Sequence, residues 1–95
     1  MRAFLLMSYY VYIIQSQLDG TYYKGSSENP VRRVMDHNLG KSSYTAVKSP
    51  WKLVYVEELP NKREMLIRER NLKRGNSDYF FYLIHSERNI AYKFS

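Results

Sequence analysis

The chain has 95 residues, a formal net charge of +6 and a hydrophobic fraction of 44%, which together indicate one globular domain over residues 1–95. The sequence contains no cysteine, so disulfides, thiolate metal sites and cysteine nucleophiles are excluded. The excess of lysine and arginine favours a phosphate-rich partner or an anionic surface, although charge of this size also serves solubility.

The first residues contain a short apolar run within Met1–Ser8. The run is too short for a secretory signal, and it continues directly into a strand pattern. No segment of the sequence approaches the roughly 18 apolar residues that a membrane-spanning helix needs. We therefore expect a cytoplasmic protein that does not enter a membrane.

The next segment predicts an antiparallel hairpin. Residues 9–15 and 21–25 are rich in β-branched and aromatic side chains, and the turn sequence Leu18-Asp19-Gly20 separates them. Side chains alternate along a strand. Two sets are therefore expected to share faces, Tyr10 with Tyr12 and Ile14 on the first strand, and Tyr23 with Gly25 on the second.

A helix is predicted to follow the hairpin. Asn29 and Pro30 suit the N-cap and first helical position, and Gly40 suits the end. Arg33 and His37 are four residues apart and therefore share one face. An arginine and a histidine on a solvated face need no functional explanation. The expected buried stripe lies on another face and consists of Val31, Val34, Met35 and Leu39.

The remaining segments complete the predicted fold. Residues 41–50 are expected to form a polar loop, Trp51–Leu59 a third strand, and residues 60–74 a second helix with Met65, Leu66 and Leu72 buried. Residues 79–84 suit a strand or a helix, and the capping sequence at Asn76 favours the helix. The last residues are expected to be loosely held.

The fold class predicted from these elements is α/β of the α+β kind. A small, mostly antiparallel sheet of three strands is flanked by helices, and the elements follow the order β-β-α-β-α-α.

Glu69 is unusual by its position alone. It follows Met65 by four residues and precedes Leu72 by three, so its carboxylate falls within the apolar stripe of its own helix. Acidic side chains are rarely buried unless they are paired or bind a metal ion. An ion pair with a nearby arginine, or a position at the edge of the stripe, would also explain the pattern.

The order of these features resembles the GIY-YIG nuclease domain, most closely over residues 9–73. Tyr10-Val11-Tyr12 matches the first signature and Tyr23-Lys24-Gly25 the second. Arg33, His37 and the pair Arg68-Glu69 fall at the family's arginine, histidine and Arg-Glu positions, and residues 51–55 resemble its third strand. The resemblance is greatest to small stand-alone members related to the N-terminal domain of the excision-repair nuclease UvrC.

The resemblance implies a phosphodiester hydrolase that uses a single divalent ion, Mg²⁺ or Mn²⁺, with Glu69 as the one protein ligand. Arg33 would lie against the scissile phosphate. Tyr12 would act as, or help to position, the general base for the attacking water, and Tyr23 would orient that water or the phosphate. His37 would assist proton transfer.

The nucleic acid is expected to contact the basic residues and the second signature. The glycine of that signature would allow a phosphate to approach the backbone closely. The basic side chains are concentrated between residues 62 and 74. The predicted contacts are Gly25, Arg32, Lys62, Arg63, Arg70 and Lys73.

The chain also departs from the family pattern. Lys24 replaces a small or apolar residue, and Ser26 stands where many members have lysine. Residues 76–95 diverge, and Asn76 and Asn89 are both candidates for the asparagine that many members carry near the site.

Three functional interpretations follow. The leading one is a metal-dependent endonuclease that cleaves DNA during repair or recombination. The second is a nucleic-acid-binding module without catalytic activity, which the basic stripe would serve. The third is an interaction domain anchored by the C-terminal aromatic residues. For an enzyme of this size, a protein partner or a homodimer would provide targeting.

Overall fold

The computed structural model of the protein describes residues 8–94, so the signal-peptide question at the N-terminus lies outside the described residues. No helix among the described residues is long and apolar enough to cross a membrane. Its elements in chain order are β1 (Tyr9–Ser16), β2 (Tyr22–Ser27), α1 (Pro30–Asn38), α2 (Ser43–Ala46), β3 (Trp51–Leu59), α3 (Lys62–Lys73), α4 (Ser77–Ile84) and a 3₁₀ helix (Ala91–Phe94).

The three strands form one antiparallel sheet in the order β2-β1-β3, which confirms the predicted sheet and hairpin. In this register Tyr12 on the central strand lies opposite Gly25 on β2 and Val56 on β3. The strand β2 is therefore an edge strand, and the second signature lies on it.

Helices cover both faces of the sheet and create two apolar clusters. On one face, Val11 and Ile13 pack with residues of α3 and α4, including Leu72 and Phe80. The other face carries Tyr12 and packs against α1 and the C-terminal 3₁₀ helix. The helices α1 and α3 are thus separated by the sheet, and side chains from both can meet only at its edge.

Three asparagines precede the longer helices, and the sequence predicts two of these caps, Asn29 and Asn76. The side chains of Asn29, Asn61 and Asn76 accept hydrogen bonds from the backbone N–H three residues further on. Such a cap satisfies one backbone donor that the helix itself leaves unpaired. The segment at residues 79–84 is a helix, which confirms the favoured alternative.

Only Val34 of the predicted buried stripe of α1 packs against the sheet, and the prediction is wrong for the other three residues. Val31, Met35 and Leu39 are 39%, 57% and 70% exposed, whereas His37 is completely buried. The face that carries His37 is turned inward because both ring nitrogens find hydrogen-bond partners, Tyr12 on the sheet and Thr45 on α2. On α3, Leu66 is likewise exposed although Met65 and Leu72 are buried as predicted.

Two further expectations are corrected. The segment 41–50 contains the short helix α2 rather than loop alone. The described C-terminal segment, up to Phe94, is not loosely held, because Ile90, Ala91 and Phe94 pack against the cluster around Tyr12. The backbone N–H of Ile90 also donates to the carbonyl of Val56, so this segment covers part of the β3 edge.

Candidate active site

The candidate site forms at the edge strand β2, where Tyr12 reaches over Gly25. A Cβ atom placed on Gly25 would lie 2.5 Å from the Tyr12 hydroxyl oxygen and 2.7 Å from Cζ. The missing side chain therefore provides the space that the Tyr12 hydroxyl occupies. The expected approach of a phosphate to the Gly25 backbone stays a prediction.

Tyr12 is the first member of a buried hydrogen-bonded series. Its hydroxyl lies 3.1 Å from Nε2 of His37, and Nδ1 of His37 lies 2.8 Å from Oγ1 of Thr45. The Thr45 hydroxyl can donate to the carbonyl of Ser42 at 3.4 Å, and it then accepts the proton on Nδ1. This arrangement leaves Nε2 of neutral His37 as the acceptor for the Tyr12 hydroxyl.

Burial dominates the titration of both rings. It lowers the pKa of His37, and the positive charge of Arg33 lowers this pKa further. Burial raises the pKa of Tyr12 to about 12, although Arg33 beside the hydroxyl opposes that shift. Arg33 favours the phenolate, but burial has the larger effect, so the resting Tyr12 is a neutral phenol.

Arg33 and Tyr23 complete the α1 side of the site. Nη1 of Arg33 lies 3.4 Å from Oδ2 of Asp36, which holds the guanidinium on the helix while its side chain stays 38% exposed. The ring of Tyr23 contacts that of His37 edge-on, with centroids 5.0 Å apart. Both residues are therefore partly accessible beside the fully buried pair of Tyr12 and His37.

Glu69 reaches the same edge from the opposite face of the sheet. The hydroxyl of Ser26 donates to its Oε1 at 2.5 Å, and Nζ of Lys73 lies 3.0 Å from its Oε2. Its negative charge also acts on Tyr12, raising the pKa of that phenol. The position of Glu69 inside the apolar stripe of α3 is explained by its hydrogen bond to Ser26 on β2. Its ion-pair partner is Lys73 and not an arginine.

Sequence reasoning missed the contact made by Ser26. In the sequence, Ser26 is marked only by standing where many family members have a lysine. Alternation from Gly25 does place Ser26 on the other face of β2, but the sequence does not show that α3 lies there. Lys24 lies on the same face as Ser26, opposite the face of Tyr23. Its Nζ is 4.8 Å from the centre of the Phe80 ring.

A divalent ion would find one carboxylate at this site. Residues 8–94 contain no group of three His, Cys, Asp or Glu side chains that could enclose a metal ion. Glu69 is 20% exposed in its side chain and already accepts a cationic group, the ammonium of Lys73. A single oxygen donor open to water fits Mg²⁺, which retains most of its water ligands.

The predicted nucleic-acid contacts lie on separate surfaces. Lys62, Arg63 and Arg70 line a groove on the outer face of α3. Arg32 is exposed on α1, across the sheet, and Lys73 lies beside Glu69. These residues therefore do not form one continuous stripe.

Arg68 belongs to the scaffold instead. Its Nε lies 3.0 Å from Oε1 of Glu57, and its Nη2 donates to the Tyr79 hydroxyl. Both charged side chains of this pair are mostly buried. The pair connects α3 to β3 and thereby sets the position of the neighbouring Glu69.

Both candidate asparagines use their side chains in hydrogen bonds that hold the fold. Asn76 caps α4. Asn89 accepts from the backbone N–H groups of Val56 and Ala91 and donates to the carbonyls of Val54 and Ile84. These bonds use its full donor and acceptor capacity, so Asn89 attaches the C-terminal segment to β3.

Several known proteins are similar to this chain in sequence or fold. A family model described as the GIY-YIG catalytic domain matches residues 8–81. A UPF0213 protein from Clostridium perfringens is 38% identical over 79 residues, covering 82% of this chain and 84% of the relative. One from Staphylococcus saprophyticus is 36% identical over 66 residues, covering 68% of this chain and 79% of the relative. The solution NMR structure of a UPF0213 protein from Bacillus halodurans has a TM-score of 0.56 at 28% identity, covering 94% of this chain and 95% of that one.

Proposed function

Since this chain belongs to the GIY-YIG family, we propose that it is an endonuclease that hydrolyses phosphodiester bonds in DNA with one divalent ion, Mg²⁺ or Mn²⁺. A role in repair or recombination and a cytoplasmic location remain predictions from the sequence. The relatives carry only the name UPF0213, so the activity rests on the geometry of this site.

The observation that carries the proposal is the buried series Tyr12–His37–Thr45, which ends beside Arg33 and within the electrostatic reach of Glu69. His37 has no exposed surface and bridges the two hydroxyl groups of this series. The series suits a proton path that starts at the site and ends in the protein interior.

Tyr12 would be a poor general base by itself, because its neutral phenol does not readily accept a proton. The proton path to His37 removes this difficulty. A water molecule that attacks the phosphorus atom gives its proton to the oxygen of Tyr12, while the proton of Tyr12 passes to Nε2 of His37. The net base is then the imidazole of His37, which is neutral and able to accept a proton at neutral pH because burial and Arg33 lower its pKa below the ordinary value of about 6.5. Arg33, beside the phenol oxygen, stabilises negative charge on that oxygen during the transfer.

Glu69 would hold the divalent ion, which when bound stabilises charge on the phosphate and on the leaving oxygen. Ser26 fixes one carboxylate oxygen by its hydrogen bond. Lys73 neutralises the other, and its half-exposed side chain is free to move into solvent. Arg33 on the opposite side binds a nonbridging oxygen of the phosphate, so the phosphate lies between the two faces of the edge.

The test is cleavage by the purified protein of labelled single-stranded, nicked, branched and fully paired DNA, with Mg²⁺, with Mn²⁺ and with EDTA. We expect metal-dependent cleavage that Glu69→Gln and Arg33→Ala abolish while circular dichroism stays unchanged. Arg63→Ala, on the outer face of α3, is the matched control for loss of a positive charge and affects binding only.

Two outcomes would contradict the proposal. Salt-sensitive binding without cleavage of any substrate with either metal would favour the non-catalytic binding module. Cleavage of RNA but not of DNA, in a parallel RNA panel, would refute the choice of substrate. A protein partner is a further proposal, because Phe81 and Tyr82 on α4 are exposed and could contact it. Substituting both residues tests whether a partner binds there.

A further inference from the structure

A shallow cleft of about 180 Å³ lies beside the candidate site and is not used by the mechanism above. Tyr22, Tyr23, Lys24, Tyr44 and Lys73 line it. Lys73 connects the cleft to the proposed metal ligand, because its Nζ lies 3.0 Å from Glu69. A group bound in the cleft would therefore be adjacent to Glu69, where the proposed function puts the scissile phosphate.

Tyr44 is the outermost ring of an aromatic series that leads into the site. Its ring centroid lies 5.9 Å from that of Tyr23, and Tyr23 in turn contacts the rings of His37 and Trp51. Tyr44 itself is 67% exposed. An exposed aromatic ring in a cleft that two lysines also line matches the chemistry of a nucleotide, whose base stacks and whose phosphate is anionic.

The position of Tyr44 is set by its neighbour. Thr45 has no exposed surface, its hydroxyl bonds to His37, and its carbonyl accepts from Nε1 of Trp51 at 2.8 Å. The backbone N–H of Ala46 donates to Ser42 across the same short helix. Tyr44 is therefore held before any ligand arrives, which reduces the entropy that binding must lose.

The two lysines of the cleft are close enough to affect one another. Burial lowers the pKa of Lys24, and the positive charge of Lys73 lowers it further. A phosphate placed between the two ammonium groups would relieve this repulsion. The cleft thus combines an aromatic surface with a position that favours an anion.

We propose that Tyr44 and Tyr23 form a stacking platform for an unpaired base next to the scissile phosphate, with Lys24 and Lys73 binding its backbone. This inference rests on the proposed nuclease function and specifies its substrate as nucleic acid with a single-stranded or extruded nucleotide. A base inside a duplex is stacked on both faces, and extruding it costs a few kcal/mol. Fully paired DNA therefore cannot use the platform without that cost.

The experiment measures binding in EDTA, so that cleavage does not interfere. The probes are a fluorescein-labelled thymidine strand of about 12 nucleotides, within the usual range of single-strand site sizes, and a duplex of the same length. Stacking is worth about 1–3 kcal/mol per base, so we expect Tyr44→Ala to weaken single-strand binding about 5- to 150-fold. Duplex binding should change less than about twofold, because the paired bases do not reach Tyr44.

Three further variants make the test specific. Tyr44→Phe keeps the aromatic face and should bind nearly as well as the wild type, whereas Tyr44→Leu keeps apolar bulk without that face and should not. Tyr82→Ala removes an equally exposed tyrosine, at 66%, from α4 away from the cleft and should bind normally. With 2-aminopurine in the strand, stacking should quench its fluorescence in the wild type and not in Tyr44→Ala.

The following outcomes would refute the stacking platform. Equal weakening of single-strand and duplex binding, or full affinity in Tyr44→Ala or Tyr44→Leu, would show that no base stacks on Tyr44. In those cases metal-dependent cleavage by the wild type would leave the proposed function intact. If the wild type bound no nucleic acid at all, both the platform and the proposed function would be refuted.

Discussion

The contact between Gly25 and Tyr12 allows a sharp test of the site. In Gly25→Ala the new methyl carbon would lie 2.5 Å from the Tyr12 hydroxyl oxygen, 2.7 Å from Cζ and 3.1 Å from Cε2. Ordinary contacts between such atoms are about 3.5–4.0 Å, so the ring must move by about 1 Å. The ring is almost fully buried and bonded to His37, so it has little room to move.

The expected cost follows from these contacts. Gly25 does not have a positive φ, so alanine suits its backbone and the penalty is steric. Overpacking a core costs about 1–3 kcal/mol, and an unpaired Nε2 on buried His37 adds about 1–3 kcal/mol if the hydroxyl leaves it. We expect urea unfolding to show a loss of about 2–4 kcal/mol, and cleavage to fall about 100-fold because a catalytic group is displaced by 1 Å.

Gly40→Ala is the matched control. Gly40 has a φ of +79°, and a Cβ atom there would lie 3.7 Å from its nearest neighbour, Ala46. This variant should lose about 1–2 kcal/mol through backbone strain and retain full activity per folded molecule. Wild-type stability together with wild-type cleavage in Gly25→Ala would refute the close packing of Tyr12 over β2.

Other predictions follow from the same structure. The stability conferred by neutral Tyr12 is complete below pH 10 and is lost as the pH rises to about 12. The free energy of unfolding of Tyr12→Phe should therefore fall less steeply than that of the wild type across this pH range. His37 should titrate below its ordinary pKa and show the Nδ1–H tautomer by ¹⁵N NMR, and Thr45→Val should abolish this preference and slow cleavage without weakening Mn²⁺ binding. Asn89→Ala should cost about 2–4 kcal/mol in urea unfolding, because the backbone groups on β3 lose their partners, and should leave activity per folded molecule unchanged.

Local patterns in the sequence were sufficient to predict the three strands and the helices α1, α3 and α4. Strand alternation and the asparagine caps of α1 and α4 depend on residues close together in the chain, and the described structure confirms them. The family followed from residues in fixed order, which also needs no tertiary information.

The inward face of α1 could not be predicted in this way. Apolar residues at helical spacing ordinarily mark the buried side, yet Val31 and Met35 are exposed while His37 is buried. The imidazole is satisfied by Tyr12 from β1 and by Thr45 from α2, two elements that are distant in the chain. Only their meeting makes burial of a polar ring favourable.

The sequence alone determined which residue types and which family are present, because signatures and periodicity are properties of the chain itself. The tertiary structure decided how those residues meet. Glu69 and Tyr12 belong to opposite faces of the sheet and come together only because β2 is its edge. Tyr44, in a segment predicted as a polar loop, is placed beside Tyr23 by the hydrogen bonds of Thr45. Such contacts depend on packing between distant segments, which local sequence patterns do not specify.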